Sequence, residues 1–141
     1  MHHLRKTKRT YNKANAGDGK MTGCTFCVDE TRAKILDENK TMFVISNRVS
    51  YDFFEGLEVA EHLMVIPKRH TESLEDLSKQ EKTDFVDMIA KYEVKGYGFY
   101  ARGAENANRS VRHQHTHLIK TKGHKARFLL YLKKPYLLIR F

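Results

Sequence analysis

The 141-residue chain has no tryptophan, two prolines, two cysteines and eight glycines. No apolar run approaches the roughly 18 residues that a membrane span requires, so a soluble protein is expected. The first residues are basic and polar, with no apolar stretch behind them and no small-residue cleavage site. That pattern argues against a secretory signal and makes the cytoplasm the default location. Acidic side chains are missing altogether after Glu105. Residues 106–141 hold nine Lys or Arg and no acid, residues 28–105 hold eleven against sixteen acids, and residues 1–27 hold six against Asp18 alone. A basic C-terminal third draws anions such as phosphate towards it. A solvated basic surface accounts for the same charge, and nucleic acid is the other anion to weigh, although no nucleic-acid-binding motif stands in the chain.

Length allows one domain with one core. Residues 1–21 have too few apolar side chains to pack and read as a flexible basic N-terminal arm, which leaves residues 22–141 as the domain, ending in basic strands. Thr41 to Ser46 and His62 to Ile66 are short β-branched runs joined by the polar and aromatic stretch Tyr51 to Glu58, a pattern of paired strands that Pro67 ends. Ser78 and Glu81 have capping-box spacing ahead of Phe85, Met88, Ile89 and Tyr92, whose spacing predicts one apolar stripe on a helix stopping near Gly96. Strands are expected over Tyr97 to Arg102, Arg112 to Lys120, Ala126 to Leu132 and Tyr136 to Phe141. The expected class is α+β, an antiparallel sheet packed against one main helix.

Two motifs carry chemistry. His113, His115 and His117 alternate along a run expected to be a strand, where alternate side chains face the same way, so all three rings are expected on one side of one strand. Imidazole suits proton transfer, nucleophilic attack and metal binding near neutral pH. Cys24-Thr25-Phe26-Cys27 is compatible with a redox pair, half of a metal site, or two small buried residues. Metal is preferred, because two thiolates leave two tetrahedral positions open and the chain has spare histidines, whereas no thioredoxin-like βαβ pattern surrounds the motif. Zinc suits mixed sulfur and imidazole ligation.

Taken together, Cys24 to Cys27, the stretch Glu61-His62-Leu63-Met64-Val65-Ile66-Pro67-Lys68-Arg69-His70 and the run Arg109 to Ile119 resemble the histidine triad (HIT) family of nucleotide hydrolases and transferases. Three separate motifs agree in order and spacing, and the resemblance spans about Cys24 to Lys120. It implies a HIT-like fold with a short helix beside the main one, a homodimer, and a purine nucleotide or nucleotide conjugate as partner. It also implies cleavage of nucleoside phosphoramidates or dinucleoside polyphosphates at the α-phosphate, with release of a nucleoside monophosphate. By position His115 matches the nucleophile, His117 and His62 the groups around it, and Ser110 a hydroxyl on the phosphate or leaving group. Asn47 matches a residue touching the ribose or the nucleophile's other nitrogen. A structural Zn²⁺ on Cys24, Cys27, His70 and His113 is implied by the same comparison.

The chain departs from the family pattern at Gln114 and Thr116, polar where the spacers are usually apolar, at Asn108-Arg109 in place of Gly-Gln, and at Glu61 in place of Gly. Arg109, with its fixed fork of donors, is a candidate for an added phosphate contact or for an obstruction. Two other readings stand beside the nucleotidyl-histidine one. The triad could itself hold a catalytic metal, or the chain could be a zinc-stabilised nucleotide or nucleic-acid binding module without turnover.

Overall fold

The computed structural model describes residues 23–125, 129–133 and 136–140, together with Thr7. Apart from Thr7, the arm expected over residues 1–21 lies outside the described residues, as do the side chains of the two C-terminal strands. A short helix α1 (Asp29–Arg32) follows the cysteines. Strands β1 (Ile35–Glu38), β2 (Met42–Ser46), β3 (Phe53–Phe54) and β4 (Leu57–Pro67) come next, then the main helix α2 (Lys79–Glu93). The chain continues through β5 (Gly98–Ala101), β6 (Thr116–Lys125), β7 (Leu129–Lys133) and β8 (Tyr136–Arg140). All strand pairs are antiparallel, in the order β1-β2-β4-β6-β5 with β3 on β4, while β7 and β8 form a separate two-stranded sheet. This is the expected α+β class; β1 is a strand that the sequence pattern did not single out.

The central strand β4 is buried on both faces from His62 to Pro67 and so divides two cores. On one face Met42, Val44, Leu63, Val65 and Leu118 pack against Met88, Ile89 and Tyr92 of α2. The helix starts with the expected capping box. Ser78 Oγ accepts the Glu81 N–H at 3.2 Å and Glu81 Oε2 accepts the Ser78 N–H at 2.7 Å, which satisfies two N-terminal donors. Arg69 clamps the same carboxylate through Nε and Nη2 at 2.9 and 2.8 Å, and this guanidinium, with the capping bonds, holds the Glu81 carboxyl down to about 2. Gly96, at φ +83°, turns the chain out of the helix.

The opposite face follows from register. Ile35 pairs with Ile45, Ile45 with Met64, Met64 with His117 and His117 with Tyr100, so these five side chains form one row across the sheet. The apolar end of that row joins Phe26, Phe43 and Ile66 in a second core. Its other end is aromatic and imidazole.

One expectation is corrected here. The run Arg112 to Lys120 is not a strand throughout, because β6 starts at Thr116, leaving only His117 of the triad on it. Continuing the Val65–Thr116 register would set Pro67 opposite Gln114, and proline has no N–H to offer a ladder. The Gln114 N–H goes instead to the Thr71 carbonyl at 2.7 Å. His113 and His115 therefore precede the strand in an unpaired segment.

Candidate active site and metal centre

His113 is fully enclosed and acts as a hinge between two groups. Its Nε2–H donates to the carbonyl of Pro67 at 3.0 Å, which leaves Nδ1 with its lone pair towards two sulfurs, Cys24 Sγ at 3.4 Å and Cys27 Sγ at 3.5 Å. His70 Nδ1 lies 3.5 Å from Cys27 Sγ. The turn that presents the thiols is closed by the Cys27 N–H on the Cys24 carbonyl at 2.9 Å. One ligand atom from each of Cys24, Cys27, His70 and His113 falls within 4.8 Å of the others, close enough to bind one metal ion. A tetrahedral site with ordinary Zn–S and Zn–N bonds separates sulfur from nitrogen by about 3.6 Å, so the donor set and spacing both fit zinc. Burial and the neighbouring Cys24 push the Cys27 thiol up in the metal-free protein, the direction a bound cation reverses.

His115 points away from that quartet. Its Nδ1–H donates to the His113 carbonyl at 2.8 Å, which fixes the tautomer and leaves Nε2 as a lone pair. Burial lowers its basicity, against the opposing pull of that carbonyl, and Arg109 and Arg102 lower it further. The ring meets Phe26 edge-on at 5.3 Å and His117 edge-on at 5.2 Å.

His117 and His62 form a relay. The Tyr51 N–H donates to His62 Nδ1 at 3.2 Å, so His62 carries its proton on Nε2 and donates it to His117 Nδ1 at 2.9 Å. His117 then carries its own proton on Nε2, a buried donor without a hydrogen-bond partner. Burial, with His62 and His115 adding to it, drives His117 down to about 2, so it stays neutral. Tyr51 lies over His62 at 4.5 Å and Tyr100 stacks on His117 at 6.2 Å.

The other residues singled out in the sequence fall around this group. Asn47 Nδ2 stands 3.1 Å from His62 Nε2, its Oδ1 accepts the Val49 N–H, and its own N–H donates to the His62 carbonyl, so it touches His62 and not His115. Ser110 is exposed on the loop before the triad. Arg109 turns back on its own loop, donating to the carbonyls of Val111 and Arg112 and to Gln114 Oε1. Phe26, Tyr51 and Tyr100 are contacts the motifs did not reveal. Only Tyr100 had a signal, an aromatic on a strand beside the triad. Among the described residues the metal quartet contains His113 and neither His115 nor His117, so the three triad rings divide between two sites and do not share one ion.

The molecule thus carries a sheet with one packed helix, a histidine relay on its other face and a thiol–imidazole quartet at its rim. Residues 57–124 match the family model described as HIT domain. The fold is similar to a HIT family hydrolase from Clostridium thermocellum at 20% identity, over 78% of this chain and 100% of that one, with a TM-score of 0.55. It is also similar to a histidine triad nucleotide-binding protein from Candida albicans (20% identity, 71% and 76% covered, TM-score 0.54). A hypothetical protein from Leishmania major shows the same likeness (21%, 73% and 77%, TM-score 0.56). At these identities the likeness establishes the fold. No curated protein sequence matches the chain. Among the described residues no helix is long and apolar enough to cross a membrane.

Proposed function

We propose that the protein is a nucleotide hydrolase or transferase that cleaves nucleoside phosphoramidates or dinucleoside polyphosphates at the α-phosphorus through a nucleotidyl-His115 intermediate. The observation that carries this reading is the state of His115: neutral, with Nδ1–H held by the His113 carbonyl and the Nε2 lone pair left over. A neutral imidazole is a competent nucleophile towards phosphorus, and the phosphoramidate it forms is labile to water. In the first step Nε2 of His115 bonds to phosphorus as the bond to the leaving group breaks. The Nε2–H of His117 hydrogen-bonds the leaving atom and stabilises the charge that develops there, while the proton the departing amine or phosphate needs comes from solvent. In the second step water attacks phosphorus, the P–N bond to His115 breaks with its electron pair returning to Nε2, the water proton passes to solvent, and a nucleoside monophosphate leaves. His62, its tautomer set by the Tyr51 N–H, holds His117 in the donating tautomer, Asn47 lies beside the His62 ring, and Ser110 offers a hydroxyl to the phosphate.

Cys24, Cys27, His70 and His113 would hold a Zn²⁺ with no open position, which ties the N-terminal turn to the His113 backbone and leaves the chemistry to imidazole. A purine nucleotide or conjugate in the cytoplasm is the partner this reading takes. A homodimer has an available surface in β5, an edge strand with Phe99 60% exposed.

The test is release of AMP or GMP from a panel of phosphoramidates and dinucleoside polyphosphates by wild type and His115→Asn. Turnover by wild type alone supports the covalent reading. Equal turnover by both would overturn it.

A further inference from the structure

The segment that carries His115 has no strand to hold it. Between Asn108 and Thr116 the backbone joins no ladder, and buried peptide groups must find partners elsewhere. Two of its carbonyls are served by one side chain. Arg109 Nε donates to the Val111 carbonyl at 3.1 Å, while Nη2 donates both to the Arg112 carbonyl and, at 3.2 Å, to Gln114 Oε1. Gln114 is 3% exposed, so its amide oxygen needs that bond. Its main-chain N–H is fixed on Thr71 O at 2.7 Å, which anchors the residue between the two histidines to the loop after β4. The remaining donor of the guanidinium, Nη1, is enclosed within the protein without a hydrogen-bond partner.

We infer that Arg109 is a positioning residue for His115, acting through Gln114 and the Val111 and Arg112 carbonyls, and not a ligand of the substrate phosphate. The inference rests on the reading of His115 as nucleophile. A planar fork can serve two carbonyls and an amide oxygen at once, which an ammonium on a flexible stem cannot reproduce. It replaces the strand ladder that Pro67 interrupts, and fixes the His113 carbonyl that in turn orients the His115 ring. Arg109 and Gln114 therefore act as a pair, both departures from the family pattern.

The experiment compares wild type, Arg109→Lys, Arg109→Ala and Gln114→Leu as full-length metal-loaded protein. Steady-state turnover of a nucleoside phosphoramidate is measured beside ¹⁵N NMR of the His115 Nδ1–H. A loosened nucleophile costs roughly tenfold to a hundredfold in kcat. Both Arg109 variants are expected to lose that much with KM within about twofold, because ground-state binding is untouched. Lysine gives no rescue, Gln114→Leu moves the same way by less, and the Nδ1–H exchanges faster in all three. Rescue by lysine, or a raised KM at unchanged kcat, would make Arg109 a phosphate ligand and overturn the proposal. Unaltered exchange of the Nδ1–H in every variant would overturn it too. If wild type turns over no nucleotide, the proposed reaction fails by itself, and the exchange measurement alone decides whether Arg109 positions His115.

Discussion

The two faces of the sheet are built on opposite principles. The α2 face is apolar, interlocked and closed by a single fifteen-residue helix, with Met42, Val44 and Val65 fully enclosed. The other face begins the same way at Ile35, Ile45 and Met64. It then gives way to imidazoles held by main-chain carbonyls, a thiol turn and an arginine fork. Packing fixes the first face by volume, and any apolar group of the right shape would serve. The second is fixed by direction, because each ring nitrogen must be a donor or an acceptor for its neighbour. Stability and chemistry are thereby separated across the thickness of one strand, since β4 sends Leu63 and Val65 one way and His62 the other.

That separation can be broken or sharpened by experiment. The largest effect is expected from His115→Asn, a loss of turnover on the order of 10³-fold or more at nearly unchanged Tm. A matching fall in Tm would mean the ring is also a packing element. Removal of the metal by a chelator, or Cys24→Ser, is expected to lower Tm by roughly 10 °C or more, because the quartet joins three distant stretches of chain. Unchanged melting together with lost turnover would move the quartet into the chemistry. On the helix face, Met88→Ala leaves a cavity where the side chain is 2% exposed and should cost about 2–5 kcal/mol in denaturant titration, with kcat unaltered. A changed kcat would show that the two faces are coupled.

The smallest effect concerns acid. Glu81 is held at about 2 in the folded protein against 4.5 unfolded, so its contribution is complete above 4.5 and is lost as pH falls from there through about 2. Its partner Arg69 is half exposed, so solvent screens part of the attraction. Glu81→Gln should lower the neutral plateau of a Tm-against-pH curve and flatten its acid limb, so that the two curves converge towards pH 2. An acid limb identical to wild type would place that sensitivity elsewhere.

Much of this was legible in the residues. The capping box, the stop at Gly96 and the end of β4 at Pro67 depend on local chemistry, and local chemistry is written in adjacent letters. The thiol–imidazole quartet came through the order of three motifs, although its ligands are as far apart as Cys24 and His113. Alternation misled at the triad, because any extended chain alternates its side chains whether or not it is paired. The consequence of Pro67 for Gln114 appears only once β4 and β6 lie side by side. Strand β1 escaped notice because its half-buried positions are Ile35 and Asp37 while Leu36 and Glu38 are exposed, a weak apolar signal. Arg109 could not be assigned from sequence either, since a fork aimed at substrate and one aimed at its own loop use the same letter.

Phe26 joins the two halves of the working face in a way that lends itself to optics. It sits between the two thiols in sequence, is 6% exposed, and puts its ring edge against both His113 and His115. The chain contains no tryptophan. An indole introduced at that one position would be the sole red-edge emitter in the molecule, lodged between His113 of the thiol–imidazole quartet and His115, the proposed nucleophile. Its brightness would register the filling of the quartet and the modification of His115 as two distinguishable signals, read continuously and without a labelled substrate.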